Sequence, residues 1–147
     1  MPLAAAALVC LVVGITDGDT IKVRCGEPGA YEEVKVRLSA IDAPEKKQSF
    51  GNRSREALSG LCFKEYAQVQ RVSGDRYGRT VANVQCKGQD VGRFMVSGGW
   101  AWVYDKYSRG HEYLYPLQDE ARAANRGLWA DKDATPPWEW RKAARRN

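Results

Sequence analysis

Two β-rich runs, LVCLVVGI (8–15) and TIKVRC (20–25), lie on either side of Asp17-Gly18. Asp-Gly tolerates the positive φ values of a tight reversal, so the segment reads as a β-hairpin with that dipeptide as its two-residue turn. Such a turn places Cys10 opposite Cys25 in a hydrogen-bonded pair, where Cα atoms at ~5.5 Å fall inside the disulfide range. In the second run Asp19, Ile21, Val23 and Cys25 share parity. Asp19 is therefore a carboxylate on the apolar side, at the mouth of whatever the strands enclose.

The remaining chain alternates between strand and helix patterns. YEEVKVRLSA puts Val34, Val36, Leu38 and Ala40 on one face; EYAQVQRV and TVANVQC alternate likewise, joined by the turn-rich SGDRYGR. RSREALSGLCF, VGRFMVS (capped by Asp90 and stopped at Gly98-Gly99) and PLQDEARAANRG (opened by Pro116 and closed by Gly127) read as helices. Five short strands, taken as antiparallel, with helices at the edges predict an α+β, mainly β fold: a five-stranded OB-fold barrel with three helices. At 147 residues this is one domain. Residues 1–7 are expected to be a lead-in or the remnant of a trimmed signal, and 8–130 the domain. Residues 131–147, which include ATPPWEWRKAARRN, read as a Pro-led basic tail anchored by Trp138 and Trp140. The apolar stretch Leu3–Val13 is too short to span a bilayer and lacks a basic leader, so no membrane partner is expected.

Net charge constrains function less than its value suggests. The formal charge is +5, yet Arg141, Lys142, Arg145 and Arg146 all sit in the last seven residues. The body is thus nearly neutral, and the tail reads as a solvated end. Four cysteines, a single histidine and no C-x-x-C pair speak against structural zinc. The even cysteine count suits two disulfides in an oxidising compartment, with four buried thiols of a cytosolic protein as the alternative.

VRLSAIDAPE carries Arg37 into a strand and leaves Asp42 and Glu45 at its exit. Clustered with Asp19, these carboxylates repel unless a cation joins them, and oxygen donors without histidine select Ca²⁺ or Mg²⁺. Arg37 projects from the opposite side of the strand to Val36 and Leu38, and Arg79 follows Tyr77-Gly78 in DRYGR. A hard divalent ion polarises a phosphoryl oxygen while guanidinium forks grip the others as charge builds, which is what phosphodiester hydrolysis requires. His111, in the polar run SRGHEY, is read as an ordinary loop residue. Lys46, Lys47, Arg53 and Arg55 are read equally as steering charges or as a solvated loop.

DGDT, VRLSAIDAPE, DRYGR and VGRFMVSGGWAWV, in that order and spacing from about Leu8 to Trp129, resemble the staphylococcal nuclease (thermonuclease) family. The resemblance implies an OB-fold barrel and hydrolysis of DNA and RNA to 3′-phosphate products with one Ca²⁺ ion. Position by position it implies Asp19, Asp42 and the Ala43 backbone carbonyl as metal ligands. Glu45 acts through water on the ion and the nucleophile, and Arg37 and Arg79 hold the scissile phosphate. Arg76, Tyr77 and Tyr104 are its candidate substrate contacts; Trp100, Trp102 and Trp129 are read as core. The likeness to secreted or periplasmic relatives implies Cys10–Cys25 and Cys62–Cys86 bridges, export from the cytoplasm and a monomer. The rival reading is a non-catalytic OB-fold nucleic-acid-binding module, which would not need Asp19, Arg37, Asp42, Glu45 and Arg79 together.

Overall fold

The computed structural model describes residues 7–146. All but the last residue of the expected lead-in lies outside them. Strands β1 (Leu8–Asp17), β2 (Thr20–Cys25) and β3 (Glu32–Leu38) form an antiparallel meander, and a short β4 (Ile41–Asp42) follows. Next come helix α1 (Gly51–Cys62), the hairpin of β5 (Tyr66–Gly74) and β6 (Thr80–Cys86), and a two-residue β7 (Gln89–Asp90). The chain continues through α2 (Val91–Ser97), β8 (Trp102–Val103), α3 (Leu114–Ala123) and α4 (Pro137–Arg145).

The order β3-β2-β1-β5-β6 closes through a parallel β3–β6 pairing, Val36 with Thr80 and Leu38 with Ala82. The expected barrel of five strands is therefore present, but it is mixed rather than wholly antiparallel. The reason is parity: a closed ring with an odd number of strands cannot alternate direction all the way round. Closure leaves no free edge in the ring. Val12, Ile21, Val23 and Val36 point into the barrel and are fully buried, joined from the helices by Leu58, Met95 and Val96. Among the described residues no helix is long and apolar enough to cross a membrane.

The hairpin turn lies one residue later than expected, at Gly18-Asp19, with Asp17 paired to Thr20. Two irregularities in β1, between Val12 and Gly14 and between Ile15 and Asp17, then restore the expected register, so Val12 faces Val23 and Leu11 faces Arg24. The shifted turn reverses the alternation of pair types along β2. Cys10 and Cys25 are bridged with Cα atoms 4.5 Å apart, the spacing of a non-hydrogen-bonded pair rather than the hydrogen-bonded one expected. A second bridge, Cys62–Cys86, ties the end of α1 to β6. Both suit an oxidising compartment.

Asp90 caps α2 by accepting from the Arg93 N–H. Helix α3 begins two residues before Pro116, and residues 137–145, expected as tail, form the fourth helix, with Pro137 in its first turn. Replacing Cys10 and Cys25 by serine is expected to lower unfolding free energy by about 2–4 kcal/mol for a loop of this length. Denaturant melts under non-reducing conditions measure it.

Candidate active site

Position 40 turns the chain from the barrel wall to the site. Ala40 adopts φ 67°, a left-handed conformation costly for a residue with a Cβ. The Tyr104 N–H holds that kink by donating to the Ala40 carbonyl at 2.8 Å. Arg37 then folds back along its own exit loop. Its Nη1 donates to the carbonyls of Leu38 (2.9 Å) and Ile41 (2.7 Å), which leaves Nη2 facing the carboxylates.

That nitrogen lies 3.6 Å from Asp19 Oδ2 and 3.4 Å from Asp42 Oδ1. Asp19 is delivered by the hairpin turn and locked to the loop after β4, since its Oδ2 accepts from the Ala43 N–H at 2.7 Å. The Thr20 hydroxyl donates to Oδ1 at 2.8 Å. Asp42 is only 1% exposed. Both its oxygens accept from a residue that the sequence reading assigned to a solvated tail. Arg141 Nη2 reaches Oδ2 at 2.6 Å and Nη1 reaches Oδ1 at 3.2 Å, while Nη1 also donates to Glu45 Oε1 at 2.6 Å. The structure thus brings together Asp19, Arg37, Asp42, the Ala43 N–H and Glu45, and Arg141 joins them. Its signal in the sequence was the Pro-led stretch PPWEWRKAAR, a helix start followed by residues at helical spacing.

Electrostatics follow from this packing. Burial works to raise the Asp19 pKa, but Arg37 and the hydrogen bonds from Asp17, Ala43 and Thr20 outweigh it and hold Asp19 below the usual carboxylate range. Burial and the Asp19 charge push Asp17 up to about 8, making it the protonated member of that pair. Burial likewise raises Asp42 to about 6, with Asp19 adding to the shift and the bonds from Arg141 and Arg37 resisting it. Among the described residues no three acidic, histidine or cysteine side chains form a ready ligand cluster, because guanidiniums stand between the carboxylates.

Arg79 does not join this group. Thr80, next to it, pairs with Val36, next to Arg37, so Arg79 ends the turn that leads into the strand beside that of Arg37. The Arg79 side chain is instead held within its own turn, Nε donating to Asp75 Oδ2 at 2.7 Å. Its backbone N–H and that of Tyr77 bond Asp75 Oδ1, and these bonds outweigh slight burial to hold the Asp75 pKa below its ordinary value. Tyr77 is well exposed, with the guanidiniums of Arg76 and Arg79 against its ring. Tyr104, the other ring expected to stack on substrate, is stacked on Trp138 of α4. Trp129 is buried as expected and packs against Trp102. His111 lies in a loop and meets strand β6 through Asn83 Oδ1 at 2.9 Å. Of the flanking bases, Arg55 bonds the Ile15 carbonyl at 3.0 Å and Arg53 lies over the Phe50 ring.

Comparison with known proteins bears on what this constellation is. The sequence profile described as "Staphylococcal nuclease homologue" matches residues 35–131. The chain is 42% identical to a protein of Haemophilus influenzae named "Uncharacterized endonuclease", over 94% of this chain and 75% of that one. That match leaves too little of the chain uncovered for Asp19 to fall outside it. A "Micrococcal nuclease" of Shigella flexneri is 39% identical over 91% of this chain and 80% of its own. "Staphylococcal-like nuclease CAN1" of Arabidopsis thaliana is 37% identical over 78% of this chain but only 35% of its own length.

Gly18 sets how closely the Asp19 turn can approach the site. A Cβ there would collide with Ser54 Oγ and lie 2.8 Å from Ala43 Cβ. Ser54 is fully buried and donates to the Trp100 carbonyl, so it has nowhere to retreat. Gly18→Ala is expected to cost about 1–3 kcal/mol of stability through overpacking. Thermal melts of the variant beside the wild type measure it.

Proposed function

The chain belongs to the staphylococcal nuclease homologue family, and from that premise we propose that it is a Ca²⁺-dependent nuclease. It hydrolyses phosphodiester bonds of DNA and RNA and leaves 3′-phosphate ends. The observation that carries this reading is the convergence of Asp19, Arg37, Asp42 and Glu45 at the exit of β3. The donor chemistry fits a hard divalent ion. All the acidic donors are oxygens, two of them face one Arg37 nitrogen, and buried Asp42 already requires a cation beside it. Asp19, Asp42 and the Ala43 carbonyl would hold the ion directly, with Glu45 reaching it through water. When bound, it supplies positive charge that polarises a phosphoryl oxygen.

The chain's own groups perform the rest. Glu45 orients the attacking water and takes its proton as the water oxygen bonds to phosphorus. The P–O5′ bond breaks, and the departing oxygen takes up a proton from solvent. Arg37, anchored through Nη1 by the Leu38 and Ile41 carbonyls, brings Nη2 from the carboxylates to the phosphate. Arg79 exchanges the Asp75 carboxylate, which holds it within its own turn, for a phosphate oxygen when substrate arrives. Arg76 and Tyr77 offer charge and an open ring face to the flanking nucleotide, and Tyr104 a second ring once Trp138 leaves it. Two disulfides fit a secreted or periplasmic enzyme, which we take to act as a monomer.

Protein supplied with millimolar Ca²⁺ is expected to digest both heat-denatured and duplex DNA, and chelation to stop it. Glu45→Ala should retain the fold by circular dichroism and lose on the order of 10²–10⁴ in rate. Uncut DNA in the presence of Ca²⁺ would refute the assignment.

A further inference from the structure

Helix α4 rests on two functional surfaces at once. Trp138 and Arg141 are three residues apart and so lie on one helical face. The Trp138 ring stacks on Tyr104, centroids 5.2 Å apart and planes inclined by 9°. One turn on, the Arg141 guanidinium takes both oxygens of Asp42 and bonds Glu45. Just before the helix, Gln48 Nε2 donates to the Thr135 carbonyl at 2.6 Å and ties its approach to the loop after Glu45.

Each contact copies the chemistry of what the site is expected to hold. A flat indole lies where a base would stack, and a cation lies against the carboxylates that would bind a metal. Asp42 has no spare oxygen, since Arg141 engages both and Arg37 also approaches Oδ1. Glu45 cannot accept a proton from water through the oxygen that accepts from Arg141. Resting on the reading that Asp42 and Glu45 serve a divalent cation, we propose that α4 is a latch. The docked helix and the bound cation exclude one another, and cation binding releases Trp138 from Tyr104 together with Arg141 from the carboxylates.

The helix is built to let go. Pro137 is its sole fully buried residue. Nine residues are too few to hold a helix in water without docking, so release and unravelling of α4 are one event. The exchange never strips Asp42 of positive charge, because one cation replaces another. Linkage makes the coupling reciprocal: cation binding weakens the docking of α4 by the same factor by which docking weakens cation binding.

The test uses the full chain and Ca²⁺ alone as probe. Amide hydrogen exchange across residues 137–145 is expected to rise when the wild-type protein is saturated with Ca²⁺. Trp138→Ala, which touches no carboxylate, should tighten calorimetric Ca²⁺ affinity about tenfold if the latch is closed nine-tenths of the time. Arg141→Ala should tighten it further. Unchanged or stronger protection of 137–145 in Ca²⁺ overturns the latch, whichever variants fold. Tightening in R141A alone also overturns it, since that would reflect only a lost positive charge. If wild-type protein binds Ca²⁺ and cleaves DNA while α4 stays protected, the latch alone falls. If neither wild type nor variants bind Ca²⁺, the metal assignment falls with it.

Discussion

The carboxylate of Asp42, 1% exposed at the barrel's edge, has to be matched by positive charge. An unpaired buried carboxylate would cost several kcal/mol or take up a proton. Arg37 meets that requirement from the barrel wall and Arg141 from the last helix, so residues 99 apart in sequence are bound by one charge balance. Much else answers to this constraint: the left-handed Ala40, the return of Arg37 to its own loop carbonyls, and the docking of α4. The raised pKa of Asp42 shows that two guanidiniums do not wholly offset its burial.

The barrel supplies the rigidity that such a site needs. Five strands force one parallel pairing, β3 with β6, and that seam carries Arg37 on one side and leads out of the Arg79 turn on the other. The Cys10–Cys25 bridge fastens the first hairpin, whose turn delivers Asp19, and Cys62–Cys86 fastens α1 to β6. The accessory elements lie on the periphery. The Asp75–Arg79 turn is held by local bonds, and α4 by Trp138 against Tyr104 and Trp102 and by Arg141 on the carboxylates. Rigid scaffold and loose accessory elements are the usual division between positioning and gating.

Strand and helix patterns were readable wherever burial imposes a period. Alternation in residues 34–40 and 80–86, and the Asp90 cap of α2, appear in the structure as expected. The first turn and the C-terminal segment were misread for identifiable reasons. The turn after β1 moved by one residue because bulges in β1 absorb the difference, and a bulge leaves no mark in a pattern of alternation. The last seventeen residues looked like a tail because four bases crowd their final seven positions, while the order of PWEWRK at helical spacing carried the opposite message.

Residue order alone established the five strands of the barrel, the Cys10–Cys25 pairing and the set of carboxylates and arginines available for chemistry, because periodicity, turn preference and residue identity are local. The Cys62–Cys86 pairing came from the family resemblance. Only the tertiary structure decided which charges face one another. It placed Arg37 and Arg141 on Asp42, sent Arg79 to Asp75, and laid Trp138 over Tyr104. Those pairings depend on long side chains reaching across elements remote in the chain, and a guanidinium takes whichever carboxylate the fold brings within its reach.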